Sequence, residues 1–170
     1  MSISVFIKII ENTPFWVWIL FAILIRRGIV LNHDGAVSLK KSLIVPSIFI
    51  LWGVERIFFG FSYPLRSFIV YVLVLMVGSY VGYLLYSYTQ NFYFSNGVFM
   101  RKGSLVQLWV ILINFVIKYI LNVSINLNPS LLSNSNFNLS YSVIAGFTVG
   151  IFLGGIINTV LIRKRVGEYL

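Results

Sequence analysis

The chain has no cysteine, a single histidine (His33) and only four acidic residues among 170. Without thiols there can be no disulfide, no iron–sulfur cluster and no cysteine nucleophile, and one histidine cannot supply both axial ligands of a bis-histidine haem. His33-Asp34 has no second histidine or cysteine nearby to complete a metal site, and a solvated Asn-His-Asp-Gly turn accounts for it. A glycine-rich phosphate loop, a His-Glu-x-x-His pair and a nucleophile elbow are all missing. The expectation is a non-enzymatic protein with no cofactor and no catalytic or metal-ligating residues.

Charge is equally scarce. Charged residues make up 10% of the chain and hydrophobic ones 59%, which excludes an ordinary soluble domain. The apolar residues fall into five stretches, approximately Pro14 to Leu31, Leu43 to Phe61, Leu65 to Tyr88, Ser104 to Leu127 and Ser140 to Ile162. At about 1.5 Å per residue each can cross a hydrocarbon core of about 30 Å, the first two only just. They lack the period-two alternation of barrel strands, and backbone groups in lipid must be bonded internally, so helices remain. The expected fold is all-α, a single integral membrane domain over residues 1–170 with five transmembrane helices and the lipid bilayer as its first partner.

The basic residues orient it. Arg26, Arg27, Lys40 and Lys41 flank the first connection, Arg101 and Lys102 the third, and Arg163, Lys164 and Arg165 follow the last stretch. The opposite side holds only Lys8, Arg56 and Arg66. Lys and Arg resist translocation in short loops, so the N-terminus is expected outside and the C-terminus in the cytoplasm. In a soluble protein a net charge of +9 would suggest nucleic acid, but here the charge sits where topology demands it, and no nucleic-acid partner is expected.

Ile3 to Ile25 is mostly apolar but has neither a basic leading region nor a small-residue cleavage site, so it is expected to remain attached. Thr13-Pro14 supplies a helix start, with Ser2 to Glu11 as a short interfacial segment before it. Trp16, Trp18, Trp52, Trp109, Tyr63, Tyr86 and Tyr88 include several candidates for anchors in the headgroup layer. In the third connection, Asn91 to Phe94 and Val98 to Arg101 are aromatic and β-prone, and Ser95-Asn96-Gly97 between them is strong turn chemistry. A short cytoplasmic β-hairpin between helices 3 and 4 follows, serving as a stiff connector or as a docking element.

Thr13-Pro14-Phe15-Trp16-Val17-Trp18, Arg27-Gly28, Val37-Ser38-Leu39 with Pro46, Gly103-Ser104, Phe115-Val116-Ile117-Lys118-Tyr119, Asn128-Pro129 and the glycines of the last stretch occur in that order. Together they resemble an uncharacterised family of small bacterial inner-membrane proteins, known only as a domain of unknown function. In that family a proline commonly precedes the Gly-Ser, where this chain has Lys102. The resemblance implies a bacterial cytoplasmic membrane and brings no activity with it.

Small residues recur at four-residue spacing. Gly78 and Gly82 share one face of the third helix, and Gly146, Gly150 and Gly154, extended by Ser142 and Asn158, share one face of the fifth. Such faces allow close backbone approach, either within the bundle or at a homodimer seam.

Polar residues inside the spans are the sharpest clue. Asn114, Lys118 and Asn122 lie on one face of the fourth helix, with Gln107 seven residues before Asn114. Glu55 on the second helix lies at a similar expected depth to Lys118, so the two are candidates for an intramembrane ion pair or a functional polar site. Two function classes follow. One is a non-enzymatic accessory, assembly or lipid- or protein-binding membrane subunit. The other is a small transporter or channel with Glu55, Lys118, Asn114 and Asn122 along its path.

Overall fold

A computed structural model describes residues 15–167. The expected interfacial segment Ser2 to Glu11 and the Thr13-Pro14 helix start lie outside the described residues. Among the described residues five α-helices predominate: α1 (Phe15–Leu31), α2 (Leu39–Gly60), α3 (Pro64–Thr89), α4 (Leu105–Leu127) and α5 (Ser135–Gly167). Between them lie β1 (Gly35–Ala36), β2 (Phe92–Ser95), β3 (Val98–Arg101) and a 3₁₀ turn at Pro129–Ser133.

Helices α2 to α5 are long and apolar enough to cross a membrane. Over the described residues α1 covers 17 positions, about 25 Å, with Arg26 and Arg27 in its last two turns. The remaining boundaries follow local chemistry. Ser38 caps α2, accepting a hydrogen bond from the Lys41 amide, so that helix begins four residues before Leu43. Ser104 caps α4 in the same way through the Val106 amide, and Pro64 opens α3 where its missing N–H is no loss. Asn128 ends α4, and Asn134 accepts from the Phe137 amide at the start of α5, five residues before Ser140.

Adjacent helices run in opposite directions, so α1, α3 and α5 are mutually parallel. The nine basic residues of the first and third connections and the last helix therefore gather at one end, called here the basic end; the 3₁₀ turn marks the other. Helix α5 is central, touching α2, α3 and α4, while α1 packs on α4.

The α3–α5 contact is the tightest. A β-carbon on Gly78 would overlap the Phe147 carbonyl and one on Gly82 the Ile151 carbonyl. In return, one on Gly146, Gly150 or Gly154 would overlap the carbonyl of Tyr71, Leu75 or Ser79. The two glycine rows thus face each other inside one chain. In lipid no hydrophobic drive brings helices together, and dispersion and packing between backbones supply the attraction.

The hairpin is present, and it is part of something larger. Asn96 and Gly97 carry φ of 50° and 75°, as a two-residue type I′ loop requires, with Ser95 paired to Val98. The aromatic residues that marked the strands pack on one another, Phe92 and Phe94 each against Phe99. The addition is β1, from the first connection, which pairs antiparallel with β3 through Gly35–Arg101 and Ala36–Met100. The result is a three-stranded sheet in the order β1-β3-β2 that ties both basic-end connections together.

Asp34 locks that sheet to the helices. Its carboxylate accepts from the Gly103 amide (2.8 Å) and from the Tyr93 hydroxyl (2.7 Å). The Gly103 amide foremost, then the Tyr93 hydroxyl, with Lys102 and Arg101 nearby, hold the Asp34 carboxyl below its ordinary value; the bond to Asp34, with some burial and the carboxylate's charge, pushes the Tyr93 hydroxyl up. Gly103 has no room for a side chain, because a β-carbon there would meet the Asn32 carbonyl.

Of the expected aromatic anchors, Trp18, Trp109, Tyr63 and Tyr88 are exposed at the bundle surface. Tyr86 is not an anchor: it is buried, its ring against Gly155 of α5. The glycine there allows a bulky ring to turn inward close to the helix end.

Candidate functional site

Two apolar clusters fill the bundle and leave a polar layer between them. Toward the basic end, Phe49, Phe115, Val149 and Phe152 pack with Val17, Leu24, Val45 and Ile111. Toward the other end, Ile57, Phe61, Ile125 and Ala145 pack with Tyr71 and Tyr141. Lys118 falls between these clusters along α4 and is completely buried.

Lysine is long enough to reach across the bundle, and it does. Its Nζ lies against Gly53 of α2, 2.9 Å from where a β-carbon on that glycine would sit, and the Tyr71 hydroxyl is beside the same point. It also lies 5.3 Å from the centroid of the Tyr141 ring, a cation–π distance. It makes no hydrogen bond. Asn114, one turn earlier on the same face, is buried with both amide atoms unbonded. Asn122, one turn later, donates to the Lys118 carbonyl (2.8 Å) and keeps a buried, unbonded Oδ1. The Tyr71 hydroxyl is buried and unbonded as well, and the buried Tyr141 hydroxyl has the Asn122 amide beside it. Four helices thus converge on one polar layer: Gly53 from α2, Tyr71 from α3, Asn114, Lys118 and Asn122 from α4, and Tyr141 from α5.

Glu55 is not part of the lysine's contact shell. It is exposed, while Gly53 turns inward, because two residues along an α-helix rotate the side chain by about 200°. The expected ion pair between Glu55 and Lys118 is therefore absent. The depths differ too, since α2 starts at Leu39: Glu55 lies five residues from the end of its helix and Lys118 nine from the end of α4. Arg56 extends toward the same helix end, its Cδ near Gly60, and with Asn122 and Glu55 it is within electrostatic reach of the Tyr141 hydroxyl. Gln107, the first member of the polar stripe, lies away from this layer and lines a cavity at the basic end.

Sequence reasoning found the three α4 residues through their spacing and missed Gly53, Tyr71 and Tyr141. A tyrosine several residues inside a span, away from the headgroup depth, was the available signal for the last two.

Each unbonded buried polar group costs about 1–3 kcal/mol, and hydrocarbon offers no water in exchange. The layer holds an amino group, two hydroxyls and an unbonded amide, groups that can each donate a hydrogen bond. Four helices long and apolar enough to cross a membrane, with a polar layer among them, fit an α-helical multi-pass membrane protein. The chain belongs to a family of unknown function (DUF6622), matched over residues 2–165. No curated protein and no solved structure matches it.

Proposed function

We propose that this protein is a non-enzymatic membrane protein of the transporter or channel class that holds a small anion at the Lys118 layer. The observation that carries the reading is the completely buried, unbonded Lys118 side chain, with the Tyr71 hydroxyl and the Tyr141 ring beside its Nζ. Intramembrane ionisable residues characteristically face a bundle interior and mark ion or substrate paths. Apolar clusters on both sides of the layer fit an occluded state, in which a solute is shut off from either surface. The accessory-subunit reading drew part of its support from the glycine faces, and those face each other within the chain.

The basic end is taken as cytoplasmic and the N-terminus as outside, in a bacterial cytoplasmic membrane, on the strength of the charge distribution and the family resemblance. The test is anion flux in proteoliposomes, with chloride and nitrate as probes. Wild-type protein should conduct and Lys118→Met should lose at least about tenfold of the flux while staying folded, in keeping with the loss of a charge-assisted contact. A silent wild type that co-purifies in mild detergent with a stoichiometric membrane partner would support the accessory-subunit reading instead.

A further inference from the structure

At the basic end a cavity of about 450 Å³ opens between the small sheet and all five described helices, with Tyr86 the contribution of α3. Its wall combines two chemistries. Arg27, Lys41 and Arg101 lie along the part formed by the loops and helix ends, and Val45, Pro46, Ile111, Phe152 and Ile156 form the part toward the bundle. Pro46, inside α2, presents its ring to this apolar part.

Positive charge is in excess there. Among the described residues Asp34 is the only acid on the wall; its one charge favours the charged Arg101 but is outnumbered by Arg27, Lys41 and Arg101, and its oxygens already accept from the Gly103 amide and the Tyr93 hydroxyl. Arg27 donates to the Lys41 carbonyl and Arg101 to the Leu31 carbonyl (3.2 Å), contacts that position guanidiniums without cancelling their charge. Arg101 keeps a buried, unbonded Nε, and Arg27 lies within repulsive reach of it. Gln107, further in, has a buried Oε1 with no donor. Two guanidiniums and an ammonium around an uncharged, greasy recess, with a stray acceptor below, call for a ligand that is anionic at one end, hydroxylated near it and apolar at the other.

We infer that this cavity binds one anionic phospholipid, its phosphate between Arg27, Arg101 and Lys41, a headgroup or glycerol hydroxyl toward Gln107, and the start of an acyl chain along Pro46, Ile111 and Phe152. Basic pockets between transmembrane helices recognise anionic headgroups in this way, and planar guanidiniums match phosphate oxygens bidentately. The position agrees with this: the cavity lies at the level of the helix ends, where headgroups sit. The inference stands apart from the Lys118 reading, because the Phe49–Phe152 cluster separates the two sites.

Native mass spectrometry of the full chain released from neutral detergent, after titration with phosphatidylglycerol or phosphatidylcholine, tests it. One phosphatidylglycerol should be retained per chain at concentrations where phosphatidylcholine is not. Arg27→Gln and Lys41→Gln should each weaken retention by about fivefold, as expected for removing one cation near a headgroup. Lys41 is exposed and its side chain caps nothing, so its variant reports on binding even if an arginine variant folds poorly. Arg26→Gln, a basic residue of the same helix end outside the cavity wall, should leave retention unchanged. Equal retention of both lipids, or an Arg26→Gln loss as large as that of Arg27→Gln, would reduce the effect to general surface charge and overturn the site. Competition by soluble glycerol phosphate as effective as the lipid itself would overturn the lipid assignment in favour of a soluble phosphate ester.

Discussion

Lys118 of α4 reaches across the bundle to Gly53 of α2, its ammonium 2.9 Å from the point that a β-carbon on that glycine would occupy. The glycine is what makes room for a buried lysine. Gly53→Ala should therefore lower thermal stability in detergent only modestly, by about 1 kcal/mol at the low end for overpacked sites, because the flexible end of Lys118 must shift. In a Lys118→Ala background the added methyl meets no ammonium and the loss should shrink. Equal losses in both backgrounds would show that the two residues do not touch.

The same geometry separates charge from architecture. Removing an unpaired buried charge is often neutral or stabilising, so Lys118→Met should keep or raise the melting temperature while abolishing flux. Glu55→Gln should change stability by less than about 0.5 kcal/mol, as surface substitutions do, and its effect should add simply to that of Lys118→Met. A double-mutant cycle showing strong coupling would restore the ion pair that the helical phase of Glu55 excludes.

Gly150→Leu should prise α5 from α3, since its side chain would have to occupy the space held by the Leu75 carbonyl. The expected result is a loss of monomer stability, read as a lower unfolding temperature in detergent. A variant that stays as stable but loses a dimer would move this face from the interior to an intermolecular seam.

Asp34 gives a pH signature outside the membrane. Its native value is depressed from 3.8, chiefly by the Gly103 amide and then by the Tyr93 hydroxyl. The stabilisation is thus fully present above the unfolded value and disappears as pH falls through the lower native one. Protection of the Gly103 amide from hydrogen exchange should hold at neutral pH and at pH 5 and be lost only in strong acid. Asp34→Ala should remove that protection at every pH and loosen the link between the first connection and the hairpin.

The grouping of the basic residues gives a topological test. Reporters fused after Gly97 and after Gly167 should report the same side of the membrane, and one placed between Asn128 and Asn134 the opposite side. A shared signal from all three would break the alternating arrangement of α2 to α5.

What could be read from the residues in order was whatever depends on near neighbours. Apolar runs bounded by Ser38, Pro64 and Ser104 made helices because backbone groups in lipid must be bonded within the segment and the caps serve the first free amides. Asn96-Gly97 determined the hairpin because few residue pairs tolerate two successive positive φ values. The one-sided charge, the four-residue glycine spacing and the polar face of α4 were likewise open to inspection. Tertiary structure decided everything that depends on rotation about a helix axis or on meetings between distant segments. A helix phase of about 200° over two residues sent Gly53 inward and Glu55 outward, and no local signal announced which face of α2 would be buried. The two-residue strand Gly35–Ala36 was too short to carry a periodicity and exists only because β3 was there to pair with it. The polar layer around Lys118 is assembled from four helices and the cationic cavity above it from five, and chain order does not encode which side chains of separate helices will face one another.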